Sequence, residues 1–194
     1  MRKLFIILCC AAIVSCKKET KATPATSPAP TEATPATQND AATTTEATPI
    51  DESDPIAAIR TKVERTNTTE LKKKHFEFMC DEKMKVDYFY EGNEIVKITV
   101  DFGTVGDTYA REDYYYDNGN LIFNYEFVEG GPACEGCIKT NEYRSYISNN
   151  KTIKYLKDKT TQLCKKCEFG KSARQYKLLT AGTEKEVKAI LCPL

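Results

Sequence analysis

The pattern of apolar and polar positions changes period along the chain, and each period predicts a different element. Ile56, Ile59 and Val63 recur at spacings of three and four residues, which places them on one face of a helix. Asp54 is a favourable N-cap, and Pro55 suits the first helical position because the amide hydrogen that proline lacks would be unpaired there. The sequence therefore predicts a short helix that begins at Pro55.

A period of two replaces the helical period after Asn67. Apolar side chains recur at every second position in four segments, 76–80, 84–90, 96–102 and 121–127. This alternation is typical of antiparallel strands with one buried face. Residues that tolerate positive φ lie in three turns, Glu91-Gly92-Asn93, Asp117-Asn118-Gly119-Asn120 and, as a weaker signal, Ser148-Asn149-Asn150. We expect a meander of hairpins with about six strands.

The C-terminal part returns to helical signals. Ser172 with Gln175, and Thr183 with Glu186, have the spacing of a capping box. They predict one or two short helices, near 173–181 and 184–191. The side chains expected to pack on the sheet are Tyr176, Leu179, Val187, Ile190 and Leu191. The whole pattern predicts an α+β domain over residues 51–194.

The N-terminus has the pattern of an export signal. Arg2 and Lys3 precede an apolar run over residues 4–14. This run is shorter than the ~20 residues that span a bilayer, and it suits the h-region of a signal peptide. Its end, Ile13-Val14-Ser15-Cys16, resembles the lipobox of bacterial lipoproteins. The resemblance implies that the signal peptide 1–15 is removed and that Cys16 carries the lipid; a plain secretory signal beside a chance cysteine is the alternative.

A tether follows the lipidated cysteine. Residues 16–50 are rich in Ala, Thr and Pro and poor in bulky apolar side chains, so they cannot bury enough surface to offset the entropy of ordering. In the lipoprotein family an Asp directly after the cysteine retains the protein in the inner membrane. Lys17 occupies that place here and favours the outer membrane, on its periplasmic face or at the cell surface.

Composition and charge exclude several function classes for the domain. The chain has 28 Lys and Arg against 28 Asp and Glu, without the basic excess that nucleic-acid binding requires. His75 is the only histidine, which excludes a two-histidine metal site. The sequence contains neither a glycine-rich phosphate loop nor a Gly-x-Ser-x-Gly elbow. We therefore expect a non-enzymatic domain with an envelope protein or a glycan as partner. Tyr114-Tyr115-Tyr116 would line such a surface or alternate between the core and the outer sheet face.

Six cysteines of the domain are the candidate chemistry: Cys80, Cys134, Cys137, Cys164, Cys167 and Cys192. An even number of cysteines in an exported domain fits three disulfides, although the sequence cannot select the pairing. If Cys80 pairs with Cys192, three pairings remain for the other four cysteines. We expect bridges between the two Cys-x-x-Cys motifs, each of which would close roughly 30 residues.

Two alternatives use the same thiols. Cys134, Cys137, Cys164 and Cys167 have the spacing of a four-thiolate zinc site. A thiol-redox role would use a single motif, and Lys165 and Lys166 would lower the pKa of the thiols beside them. The βαβ pattern of thioredoxin-like sites is missing from the sequence around both motifs.

The domain is similar to small β-rich envelope lipoproteins of uncharacterised function from Bacteroidota-type bacteria. The likeness rests on an aromatic strand, an Asn-Gly turn and a returning apolar strand, as in residues 113–127. It implies no activity. The leading hypothesis is a membrane-anchored envelope lipoprotein with a non-catalytic binding or structural domain. The alternative is a thiol-redox or zinc-binding protein.

Overall fold

The computed structural model describes residues 54–192. The expected signal peptide 1–15, the lipidation site Cys16 and the tether that ends at residue 50 lie outside the described residues. The described chain consists of α1 (Pro55–Thr68), β1 (Lys72–Met79), β2 (Lys83–Glu91), β3 (Glu94–Val105), β4 (Thr108–Asp117), β5 (Asn120–Gly130), β6 (Lys139–Ser148), β7 (Lys151–Lys157), β8 (Thr160–Thr161), α2 (Arg174–Thr180) and α3 (Glu184–Leu191).

The strands form one antiparallel meander. Each strand pairs with the next one in the chain, from β1 at one edge to β8 at the other. The expectation of a predominantly antiparallel sheet with flanking helices is confirmed. The strand count of about six was too low, because β4 carries three consecutive buried tyrosines and β8 has only two residues, so neither shows alternation. The N-terminal helix has 14 residues and is not short.

The three hairpin turns that the sequence predicts are present, the first of them at Gly92 between β2 and β3. Asn118 and Gly119 join β4 to β5 with φ values of 47° and 71°, and Asn149 and Asn150 join β6 to β7 with 51° and 65°. Both residues of a type I′ turn need positive φ, which explains the side chains found there. The turn from β7 to β8 has Asp158 and Lys159 in the same conformation, a pair with a weaker sequence signal.

Both faces of the sheet carry helices. On the larger core face, α2 and α3 cover Val86, Tyr88, Ile98, Val100 and Tyr114, all of which are buried. On the opposite face, α1 contributes Ile59 to a second cluster formed by Tyr115, Phe123, Tyr146 and Leu156. The three tyrosines 114–116 are all buried, because neighbouring residues point to opposite faces and both faces are covered at this place.

The C-terminal helices end close to their predicted bounds, but only one predicted cap forms. Thr183 and Glu186 make the reciprocal capping box of α3. The box expected from Ser172 and Gln175 is wrong, since Ala173 is the N-cap of α2 and the Gln175 side chain is buried. Of the side chains expected on the sheet, Tyr176, Val187 and Leu191 are buried, whereas Leu179 and Ile190 are half-buried against the same core.

A disulfide closes the larger core. It joins Cys80, just after β1, to Cys192, just after α3, across 112 residues of sequence. The bridge therefore fastens α3, the last helix, to the first hairpin of the sheet. No helix among residues 54–192 combines the length and the apolar character that a membrane span requires.

Candidate functional site: a cationic cavity beside α1

A cavity of about 600 Å³ opens between α1 and strands β3 to β6. We call it the cationic cavity. Its lining residues are Arg60, Val63, Glu64, Asn67, Thr68, Lys97, Arg111, Asp113, Tyr115, Phe123, Tyr125, Arg144 and Tyr146.

The strand register brings the polar lining together. Tyr125 on β5 lies opposite Asp113 on β4 and opposite Arg144 on β6, so the three side chains form one row across the sheet. Residues directly opposite each other on antiparallel strands have Cβ atoms about 4.5–5.5 Å apart. Arg111 lies two residues before Asp113 and so shares the same face.

Tyr125 is the centre of this row. The guanidinium carbon of Arg111 lies 5.9 Å from the centroid of its ring, and that of Arg144 lies 5.3 Å away. The hydroxyl donates a hydrogen bond to Glu142 Oε1 at 2.9 Å. Burial, together with this bond, raises the pKa of Tyr125 to about 12, so the phenol stays neutral. Two cation–π contacts therefore hold both guanidinium groups beside one ring.

Asp113 is the buried acid of the cavity lining. Its side chain is only 6% exposed. Oδ1 accepts a hydrogen bond from Thr99 Oγ1 at 2.7 Å, and Oδ2 accepts one from Arg111 Nη2 at 3.3 Å. Lys97 Nζ lies 4.0 Å from Oδ2. Both carboxylate oxygens thus have partners on neighbouring residues of the sheet, which explains how an acid is accommodated at this depth.

The helix is attached to the same network at its C-terminal end. Asn67 Oδ1 accepts hydrogen bonds from Lys97 Nζ and from the hydroxyl of Tyr115, each at 2.9 Å. Burial lowers the pKa of Lys97, and the nearby Asp113 carboxylate opposes that effect. At the other end of the cavity, Arg60 Nε donates to the hydroxyl of Tyr146 at 3.3 Å.

Two N–H groups of the lining arginines have no hydrogen-bond acceptor within the described residues. Arg111 Nε and Arg144 Nη1 are buried, and neither finds a hydrogen-bond acceptor among residues 54–192. Buried polar groups are nearly always paired, because an unpaired one loses the hydrogen bond that water would provide. The Tyr125 ring can meet only part of this demand, since an aromatic face is a weak acceptor.

The cavity is positively charged. Four cations line it, Arg60, Lys97, Arg111 and Arg144, against the two carboxylates of Glu64 and Asp113. Glu142, just outside the lining, accepts a hydrogen bond from Arg144 Nη2 at 2.5 Å and offsets one further charge. An excess of positive charge remains after this pairing.

The Cys-x-x-Cys motifs take a different pairing from the expected one. Cys134 bonds to Cys137, and Cys164 bonds to Cys167, so each bridge closes a single turn. The expectation that bridges would join the two motifs is wrong. Cys80 pairs with Cys192, which is one of the pairings that the sequence allows.

The two motifs lie at opposite ends of the sheet. The first ends two residues before Lys139, where β6 begins. The second lies beside the far end of β6, since Thr152 pairs with Ile147 and its amide donates to Cys167 O at 2.8 Å. Lys139 and Ile147 are eight residue steps apart, which corresponds to about 26 Å along a strand. This separation contradicts the alternative of one zinc site shared by Cys134, Cys137, Cys164 and Cys167. No cluster of three or more His, Cys, Asp or Glu residues between 54 and 192 is arranged to hold a metal ion.

The lysines of the second motif do not point to its thiols. Lys165 Nζ lies 4.3 Å from the ring centroid of Tyr143, and Lys166 Nζ lies 4.7 Å from that of Phe169. His75, the only histidine, pairs with Asp87 on the exposed part of the sheet through Nδ1 and Oδ1, 2.6 Å apart.

The cationic cavity is not apparent from the sequence. Arg111, Tyr125 and Arg144 belong to three different strands, and the sequence alone does not say which residues of neighbouring strands lie opposite each other.

Comparison of the chain with protein-family models gives no match. Searches of curated proteins and of solved structures likewise give no significant similarity, so no family is assigned.

Proposed function

We propose that the protein is an exported lipoprotein, attached to the cell envelope through Cys16, whose β-rich domain is a non-catalytic binding domain. The observation that carries the binding role is the cationic cavity, which has the size of a small-molecule site and combines aromatic walls with a few polar groups. The outer membrane remains the proposed location because Lys17 follows the lipidated cysteine.

The disulfides support an oxidising compartment. Three bridges in one domain are typical of exported proteins and rare in the cytosol. This agrees with the proposal that residues 1–15 are a signal peptide that directs export. The tether 16–50 would then hold the domain away from the membrane surface, where a soluble glycan or an envelope protein could reach the cavity.

A fragment-binding experiment tests the binding role. The mature chain, made soluble by Cys16→Ser, is titrated with a set of small neutral aromatic fragments and followed by amide chemical-shift changes. We expect the largest shifts at Val63, Tyr115 and Tyr125. Glu64→Trp should fill the cavity and abolish these shifts, whereas Thr61→Trp, an exposed position of α1 that does not line the cavity, should leave them unchanged. Absence of any cavity-centred binding would contradict the proposal.

A thiol-redox function is the second candidate, and it rests on the second motif. The Cys164–Cys167 bridge closes one exposed turn, and Leu163 beside it is 95% exposed, an apolar side chain that a partner protein could contact. A redox role predicts that this bridge reduces at mild potential while the fold persists, and that the reduced protein transfers electrons to a disulfide substrate. A bridge that reduces only on unfolding would contradict it.

A further inference from the structure

We propose that the cationic cavity binds a small anion through its carboxylate or phosphate oxygens, and that Arg111 and Arg144 are the groups that contact them. This inference rests on the proposed binding function and assigns the chemical class of its ligand. It follows from the charge of the lining, from the two unsatisfied donors and from the way both guanidinium groups are held.

The charge of the cavity selects against cations and favours anions. The two lining carboxylates are unequal in what they contribute. Asp113 is already engaged by Thr99, Arg111 and Lys97. Glu64 is on an exposed part of α1, where water screens its charge. The positive charge of Arg111 and Arg144 is therefore only partly neutralised inside the cavity.

The N–H groups of Arg111 and Arg144 have the geometry that binds an oxyanion. A guanidinium group presents its N–H bonds in a planar fork, which matches the two oxygens of a carboxylate or a phosphate. One edge of each fork is used within the protein: Arg111 Nη2 donates to Asp113, and Arg144 Nη2 donates to Glu142. Arg111 Nε and Arg144 Nη1 have no acceptor in the described part of the chain. An oxyanion bound beside either side chain would supply the acceptor that its donor lacks.

The arginines are held in place before any ligand binds. Asp113 and Glu142 each accept a hydrogen bond from one guanidinium group, and the guanidinium carbons lie 5.9 Å and 5.3 Å from the centroid of the Tyr125 ring. Pre-organisation of this kind reduces the entropy lost when a ligand orders long side chains. Arginine also remains protonated throughout the accessible pH range. The charge of the two arginine contacts should therefore not change between pH 6 and 9.

Titration with simple probes tests the inference. The mature chain with Cys16→Ser is titrated at low ionic strength with inorganic phosphate, citrate, glucuronate and glucose, and the side-chain Nε–H signals of arginine are followed by NMR. We expect glucuronate or phosphate, or both, to shift the Arg111 and Arg144 signals, and glucose to shift neither. A response to glucuronate and citrate alone would identify a carboxylate ligand, and a response to phosphate alone would identify a phosphate ligand.

Variants at three arginines distinguish binding in the cavity from a general attraction of anions to the positive charge of the protein. Arg111→Gln and Arg144→Gln should each weaken binding at least tenfold. Arg65→Gln removes the same charge from α1 at a side chain that does not line the cavity and pairs with Glu91, so binding should be unchanged. Arg144→Lys keeps the charge but removes the fork, and it should bind more weakly than the native protein.

The outcomes distinguish this inference from the proposed function. If neutral fragments bind in the cavity and none of the anions shifts the two arginine signals, the anion class is wrong and the binding role stands. If neither fragments nor anions bind there, both are wrong. Equal weakening by Arg65→Gln and Arg144→Gln would show attraction to the whole surface and would overturn the inference.

Discussion

The long-range disulfide should dominate the contribution of the cysteines to stability. Cys80→Ser with Cys192→Ser removes the bridge that closes 112 residues, whereas Cys134→Ser with Cys137→Ser removes a bridge that closes one turn. A cross-link stabilises mainly by restricting the unfolded chain, and the effect grows with the logarithm of the loop length. The loop-closure relation gives about 4–5 kcal/mol for the long loop and about 2 kcal/mol for the short one.

The packing around the bridges increases this difference. Cys80 and Cys192 are half-buried against the larger core, while the Cys134–Cys137 turn is largely exposed. Loss of the long bridge should therefore lower the melting temperature by roughly 10–15 °C for a domain of this size. The Cys164–Cys167 pair closes an equally short turn and serves as a second matched control.

Urea unfolding followed by circular dichroism measures the free energy of each variant. We expect a loss at least twice as large for the Cys80 and Cys192 variant as for either short-loop variant. The slope of free energy against urea should rise, because the unfolded chain without the long bridge exposes more surface. Equal losses for all three variants would refute the assignment of stability to loop length.

Three further predictions concern the proposed lipidation site, the tether and the half-buried side chain of Glu126. Cys16→Ser should abolish incorporation of a labelled fatty acid, and undiminished labelling would reject Cys16 as the anchor. A chain that begins at Asp51 should melt at the same temperature as the mature protein, and a large loss would show that residues 16–50 pack on the domain. Burial raises the pKa of Glu126 in the folded state, so its ionised form destabilises the fold, and this loss grows as the pH rises through the folded pKa. Glu126→Gln keeps an acceptor for Asn124 Nδ2, which now donates at 2.7 Å, and should be more stable than the native protein at pH 8 but not at pH 4, as measured by urea unfolding.

Local signals predicted much of the fold because they act through neighbouring residues. The turn at Asn118-Gly119 needs two positive φ values, and the cap at Thr183 needs Glu186 three residues later; both can be read directly from the sequence. The strand count was harder, since alternation disappears where both faces of a strand are covered, as at Tyr114 and Tyr115.

The cationic cavity could not be predicted because it depends on register. Arg111, Tyr125 and Arg144 come together only when β4, β5 and β6 pair with particular offsets. The pairing of β4 with β5 shifts by one residue between Tyr115 and Tyr116, which changes the offset between the hairpin turn and the row of cavity residues. The sequence does not mark this irregularity with a glycine.

The pairing of the cysteines also depends on the fold and could not be predicted from their spacing. Spacing alone allowed bridges within the motifs, bridges between them or a shared metal ion. The meander decides among these, because it places 134–137 and 164–167 at opposite ends of β6. Of the three bridges within residues 54–192, only the one from Cys80 to Cys192 joins residues that are distant in sequence.

The mass of the intact protein isolated from envelope membranes tests most directly whether this is an oxidised, lipid-anchored envelope protein. The account predicts a chain that begins at Cys16 and carries lipid. Its six domain cysteines should resist alkylation until a reductant is added, and peptides 134–137 and 164–167 should each be bridged within themselves. An unprocessed chain, a mature chain without lipid, or free thiols in the native protein would contradict the account.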